Sequence, residues 1–166
     1  MNLKFEKVTF EQFAKDLREV GDYSGEEICS IYDSVKLPKR STSGSAGYDF
    51  STPIDFSIPA GGSVKIPSCI RSVGMPENVV LKIYVRSSVG IKRKVVISNG
   101  TGIIDSDYSD AKNEGHIWLA FTNNSDKEQK FEKGDCVAQG IFINYLTTED
   151  DDSNGKRVGG IGSTGK

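Results

Sequence analysis

Val95-Val96-Ile97-Ser98-Asn99-Gly100-Thr101-Gly102-Ile103-Ile104-Asp105-Ser106-Asp107-Tyr108 puts a β-branched run, a glycine-marked turn and a second apolar run in immediate succession. Asn-Gly between apolar runs is a strong short-range hairpin signal, because both residues tolerate positive φ. The pattern predicts a hairpin at 98–103, followed by two carboxylates and a tyrosine. Short apolar or alternating runs recur at 64–66, 79–85, 94–97, 117–122 and 137–143. Pro59-Ala60-Gly61-Gly62, Asn123-Asn124-Ser125 and Lys133-Gly134-Asp135 punctuate them. Many short strands with turn chemistry between them predict an all-β barrel or sandwich. The absence of strand–helix alternation excludes the doubly wound nucleotide folds.

With 166 residues the chain has room for one modest core. Lys+Arg 21 against Asp+Glu 23 leaves a net charge of -2, which argues against direct nucleic-acid binding and against a membrane surface. Met1-Asn2-Leu3-Lys4-Phe5-Glu6 carries no apolar run of signal-peptide length, and no stretch approaches a membrane span, so a cytoplasmic location is expected. The single histidine, His116, excludes multi-histidine zinc sites and reads as structural. Cys29, Cys69 and Cys136 lack C-x-x-C spacing. All three lie among apolar neighbours and read as buried free thiols. Any catalysis falls to carboxylates, hydroxyls and backbone amides, with or without an oxygen-bound metal.

Residues 1–35 read as a helical N-terminal extension. Thr9-Phe10-Glu11-Gln12 and Ser24-Gly25-Glu26-Glu27 look like capping boxes. Phe10, Phe13, Leu17 and Val20 follow at helical spacing up to Gly21, and Ile28, Ile31 and Tyr32 form a second stripe. Two short helices could dock on the domain, contact a protein partner or cap an oligomer. Docking is favoured, because paired apolar stripes usually serve packing. The β domain spans 36–148, and 149–166 forms a flexible acidic linker and a glycine-rich arm.

Gly160-Ile161-Gly162-Ser163-Thr164-Gly165 satisfies G-x-G-x-x-G, and Gly160 to Lys166 matches the first seven positions of a P-loop. Both motifs need a strand before them and a helix N-terminus after them. The sequence offers neither, so both readings are set aside. Consecutive glycines still let amides converge on an anion, with Ser163 and Thr164 as further donors. The arm would order over a polyphosphate; the alternative is a frayed terminus.

Three further clusters are ambiguous singly. Ser45-Ala46-Gly47-Tyr48-Asp49 precedes a strand and could be a turn held by an Asx-type bond. Arg86-Ser87-Ser88-Val89-Gly90 ends a strand with a guanidinium and two hydroxyls, an anion cradle or a plain strand end. Gly134-Asp135-Cys136-Val137-Ala138-Gln139 turns into a strand whose Gln139 is a satisfied core amide or a ligand contact.

In this order, with Ser98–Tyr108 third and the glycine arm last, the clusters resemble the five motifs of the trimeric dUTP pyrophosphatase (dUTPase) family, over roughly residues 36–166. Gly102-Ile103-Ile104-Asp105-Ser106-Asp107-Tyr108 is the most specific element of the resemblance. It implies a dUTPase-like distorted β-barrel or jelly roll with a mobile C-terminal arm. It also implies Mg2+-assisted hydrolysis of dUTP to dUMP and pyrophosphate by water attack on the α-phosphorus, limiting uracil in DNA and supplying dUMP for thymidylate synthesis. Asp105 matches the family's general base, and Tyr108 the residue packed against the deoxyribose. Asn99, Gly100, Gly102, Ile103 and Ile104 fall on the uracil-reading segment. Arg86, Ser87, Ser88, Gln139, Ser163 and Thr164 match phosphate-binding positions, and Arg157, one place from the motif's arginine, is assigned with them. Asp49 matches the aspartate near the water shell of Mg2+, which the substrate phosphates mainly hold. A homotrimer with shared sites is implied, motif three coming from one subunit and the arm from another.

The chain departs from the family pattern in six places. Val85-Arg86-Ser87-Ser88 lacks the usual proline before the arginine and glycine at Ser88, and Asp110 stands where glycine is usual. Gly100 occupies a site often held by leucine or alanine. Ile161 replaces the phenylalanine stacked over uracil, a contact worth about 1–3 kcal/mol in related settings. The motif-five arginine aligns with Lys156, and Arg157 lies one place on. Weaker closure of the arm is expected. A dCTP deaminase of similar fold would need a glutamate in the central strand, and Ile117-Trp118-Leu119-Ala120-Phe121-Thr122 has none. A nucleotide-sensing regulatory binder, docking a protein through the N-terminal helices, is the alternative from another class.

Overall fold

Trp118 to Asn123 alternates half-buried and buried residues strictly, the signature of a strand with one face on a core. The computed structural model describes residues 2–155 together with Arg157 and Gly159. In chain order its elements are β1 (Lys4–Lys7), α1 (Phe10–Leu17), α2 (Gly25–Ser34), β2 (Lys39–Arg40), β3 (Tyr48–Ser51), β4 (Phe56–Ile58), β5 (Ser63–Pro67), β6 (Ile70–Val73), β7 (Val79–Val85), β8 (Val95–Ile97), β9 (Gly102–Ile104), β10 (Trp118–Asn123), β11 (Gln129–Phe131) and β12 (Cys136–Asn144). A π-helical turn spans Ser88–Lys92 and a 3-10 turn Ser106–Asp110.

The strands form four small antiparallel sheets in a jelly-roll-like all-β fold: β2-β3-β12-β7-β9, β5-β10-β8, β1-β6 and β11-β4. All five apolar runs legible in the sequence are strands. The Asn99-Gly100 turn is present too: the Gly100 N–H donates to the Ile97 carbonyl at 2.8 Å, with Gly100 at φ +79. The expected hairpin is not. β8 pairs with β10 and β9 pairs with β7, so the strands flanking the turn enter different sheets. Long-range pairing overrides the local turn and opens a gap between β8 and β9.

The N-terminal segment is part of the core. Phe13, Leu17 and Ile28 are buried in one cluster with Phe50, Ile66, Leu81 and Phe121. Phe5 meets Tyr48, Phe50 and Phe142 at ring-centroid distances of 5.4, 5.4 and 5.3 Å. Strand β1, which pairs with β6, is an element the helical reading of residues 1–35 did not contain. The capping box at Ser24 and Glu27 is complete. The one at Thr9 is half formed: Thr9 Oγ1 accepts the Gln12 N–H at 3.2 Å, but the Gln12 amide turns to Asp16 and the Thr9 N–H goes to Glu114. Helix α1 stops at Leu17, short of Gly21, leaving Phe10 and Val20 exposed. Among the described residues no helix is long and apolar enough to cross a membrane.

The thiols divide, contrary to the uniform burial expected: Cys29 is exposed, Cys136 half-buried and Cys69 buried. Cys29 follows Ile28 on α2 but lies about 100° round the helix from it, away from the core. Burial pushes the Cys69 thiol up to about 12. At pH 8 the native chain should therefore react with a thiol reagent at Cys29, and at Cys69 only once denatured. Fast labelling of Cys69 in the folded chain would contradict the packing around it.

Candidate active site

Strand β12 runs between β3 and β7, and its Gln139 lies opposite Asp49 on one side and Tyr84 on the other. Paired residues on neighbouring strands share a face, and Arg86, two residues past Tyr84, returns to it. Arg86 Nε comes within 3.2 Å of Asp49 Oδ1, and Ser41 Oγ donates to Asp49 Oδ2 at 2.9 Å. Gln139 Nε2 donates to the Val85 carbonyl at 3.3 Å. Gly47 leaves room for this amide: a Cβ there would lie 2.5 Å from Gln139 Oε1 and push it aside. Beyond β7 the Val89 and Gly90 N–H groups both donate to the Arg86 carbonyl at 2.9 Å, turning the chain sharply after Ser87. Asp49, Arg86, Ser87, Ser88 and Gln139 thus line one cavity of about 580 Å³, with Ser41 and Ser45 adding hydroxyls. A guanidinium among hydroxyls suits an anion with several oxygens.

The gap between β8 and β9 forms a second cavity, of about 350 Å³. Asn99, Gly102, Ile103, Ile104, Asp105 and Tyr108 line it, and Gly100 sits at the turn beside them. A Cβ on Gly102 would stand 3.0 Å from the Ile83 Cβ, so β9 lies close against β7. Asp105 opens the 3-10 turn, and its carbonyl accepts the Tyr108 N–H at 3.1 Å. Its carboxylate makes no capping bond and remains half exposed. Tyr108 is buried apart from the ring surface it gives to the cavity.

Arg157 reaches this second cavity rather than the first. Its Nε donates to Asp107 Oδ1 at 2.6 Å, its Nη2 pairs with Asp105 Oδ2, and its guanidinium stands 5.7 Å from the Tyr108 ring centroid. Burial opposes its charge, yet the Asp107 and Asp105 carboxylates outweigh that and raise its pKa. Ile161, Ser163 and Thr164 lie outside the described residues.

One separation governs what these cavities can do together. Ile104 pairs with Leu81, which sets Asp105 opposite Val80, six residues along β7 from Arg86. At about 3.4 Å per residue the base candidate and the phosphate-binding candidate stand roughly 20 Å apart in one chain.

Sequence reasoning missed Trp118 and Ala120, which also line the second cavity. They alternate with buried Leu119 and Phe121, so the period-two pattern marked their common face without showing what it faced. Ser41, which orients Asp49, carried no signal at all. His116 lines neither cavity and is fully buried, as a structural reading requires. Among the described residues no three of His, Cys, Asp or Glu converge as a metal cage.

Known proteins share this sequence and fold. Residues 33–165 match the family model for dUTPase. A deoxyuridine 5'-triphosphate nucleotidohydrolase of Lactococcus lactis is 38% identical over 146 residues, covering 85% of this chain and 97% of that one. The crystal structure of a dUTPase from Streptococcus mutans superposes with a TM-score of 0.67 at 33% identity, covering 88% of this chain and 98% of its own. A dUTPase of phage phi11 of S. aureus, described with a coordinated structural Mg(II) ion, gives a TM-score of 0.64 at 17% identity over 93% and 98% of the two chains, and so supports the fold alone. The family match runs through both cavities, from Ser41 to Arg157, and the chain belongs to the dUTPase family.

Proposed function

We propose that the protein hydrolyses dUTP to dUMP and pyrophosphate as a homotrimer, each site joining the base-and-sugar cavity of one subunit to the phosphate cavity of another. Hydrolysis of dUTP is the activity its relatives are named for. The separation of roughly 20 Å between Asp105 and Arg86 carries the shared-site reading, because one α-phosphate cannot lie near both in a single chain.

The turn at Asn99-Gly100 presents backbone groups that no β8–β9 ladder engages, and these suit the edge of a pyrimidine. Cytosine would offer donors where uracil offers acceptors, and such buried mismatches discriminate by up to ~10⁴–10⁵-fold. The Tyr108 ring walls the sugar end and leaves no room for a 2′-hydroxyl. Asp105 takes a proton from the attacking water, the role open to a carboxylate that makes no capping bond. Arg157 bridges Asp105 and Asp107, and as its guanidinium turns to the arriving triphosphate the Asp105 oxygen it occupies is released to the water. Arg86, Ser87, Ser88 and Gln139 hold phosphate oxygens; Ser163 and Thr164 are assigned the same task by the motif.

Mg2+ fits this donor set as a substrate-borne ion. A cation that keeps several waters needs only one or two carboxylates beside the phosphates, and Asp49 lies on the phosphate cavity wall. When bound it neutralises charge on the triphosphate. The proposed location is the cytoplasm, where three unpaired cysteines stay reduced.

Incubation with Mg2+ and each deoxynucleoside triphosphate in turn, plus UTP, tests the reading through pyrophosphate and ammonia release. Pyrophosphate from dUTP alone is expected. Ammonia from dCTP would overturn it in favour of a deaminase.

A further inference from the structure

Tyr108 is held from a direction its motif does not indicate. Its Oη donates to the His116 carbonyl at 3.0 Å and accepts from Asn113 Nδ2 at 2.9 Å. Segment 113–116 is therefore the seat of the tyrosine hydroxyl. Gly115 lies flush on the tyrosine's own backbone: at φ +73, a Cβ there would stand 2.8 Å from the Tyr108 carbonyl and 2.7 Å from the Ser109 Cα.

Two anchors run from helix α1 to this seat. In the first, the His116 ring is fully buried and its Nε2 accepts the Cys69 N–H at 2.8 Å. A backbone N–H can only donate, so the ring proton sits on Nδ1, 2.5 Å from Asp16 Oδ2. Gln12 Nε2 donates to the same carboxylate oxygen at 2.8 Å. Burial works against the Asp16 charge, yet the bonds from His116 and Gln12 outweigh it and hold the carboxyl below its usual range. In the second anchor, Glu114 takes both the N–H and the hydroxyl of Thr9, at 2.8 and 2.6 Å. Glu114 sits at φ 59, a conformation that a side chain bound on its far end can maintain.

We propose that Asp16 and Thr9 are positioning residues of the sugar site. Through His116 and Glu114 they fix the carbonyl that receives the Tyr108 hydroxyl, and so set how far the ring stands into the cavity that excludes a 2′-hydroxyl. This rests on the reading of Tyr108 as the sugar wall. Neither residue lines the base-and-sugar cavity or the phosphate cavity, and both precede residue 33, where the family match begins. Packing by Phe13 and Leu17 already buries α1 in the core. A buried carboxylate carries a desolvation cost, and its bonds from the neutral His116 ring and from Gln12 serve mainly to offset it, so apolar packing would hold the helix as well.

The test compares kcat and KM for dUTP and UTP in Asp16→Ala, Asp16→Asn, Glu114→Ala and Tyr108→Ala, each checked for folding by thermal melting. Tyr108→Ala comes first: an unchanged UTP-to-dUTP ratio of kcat/KM would sink the sugar-wall reading itself. With that ratio raised, Asp16→Ala and Glu114→Ala should each raise it on the order of 10-fold, the usual scale for losing a supporting group. Asp16→Asn keeps an acceptor for Nδ1–H and should restore most of the discrimination. The 19F resonance of 3-fluorotyrosine at position 108 should move in Asp16→Ala and stay in Asp16→Asn. Wild-type discrimination in folded Asp16→Ala and Glu114→Ala, beside a Tyr108→Ala that has lost it, overturns the proposal. If Asp16→Ala fails to fold, Glu114→Ala decides, since Thr9 and Glu114 meet at the surface.

Discussion

Asp105→Asn should lower kcat for dUTP by about 10²–10⁴-fold while dUTP still binds, the range expected when a general base is removed. An amide of the same shape cannot take a proton from water. The change leaves the rest of the cavity intact: Arg157 keeps its 2.6 Å bond to Asp107, and the Asp105 backbone carbonyl still starts the turn that carries Tyr108. The check pairs pyrophosphate release with equilibrium binding of dUTP. Wild-type turnover in this variant would remove Asp105 as the base. Loss of binding together with turnover would make its role ligand placement instead.

Arg86→Ala should cost about 10²–10³-fold in kcat/KM, the scale of losing one aimed donor at a site of developing charge. It also strips Asp49 of its cation and leaves a bare carboxylate among the phosphate oxygens. The sharper result comes from mixing the two inactive variants. If each site takes Asp105 from one subunit and Arg86 from another, random reassembly of equal amounts restores about a quarter of the sites. A site confined to one chain would restore none. Absence of recovery, with mixed trimers verified by differential tagging, would place both residues in a single protomer's site and refute the shared arrangement.

What was legible in the sequence was local. The Ser24–Glu27 capping box is four residues long, and the alternation in Trp118–Asn123 is self-contained, so both could be read from neighbours. The convergence of Asp49, Arg86 and Gln139 was legible for a related reason: each marks a strand or its end, and the sheet then aligns them. Most of the failures are long-range. Thr9 gives its N–H to Glu114, 105 residues away, which no capping rule anticipates. Lys4-Phe5-Glu6-Lys7 has one apolar residue and becomes a strand only because β6 offers an edge. The turn at Gly100 was correctly placed, but the partners of β8 and β9 lie elsewhere in the chain and separate what the turn joins. The contact of Arg157 with Asp105 and Asp107 spans 50 residues or more and has no local signal.

The parting of β8 and β9 bears on how the protein can change by mutation. A codon substitution exchanges a side chain and leaves the main-chain N–H and C=O where they were. If the base faces main chain at the turn, as proposed above, the property most costly to lose is encoded in the path of the chain rather than in any one residue. Drift at Asn99 or Thr101 then alters affinity before it alters which base is accepted. A new base preference would come by insertion or deletion between Ile97 and Gly102, where a shift of one residue re-registers every donor and acceptor facing the cavity.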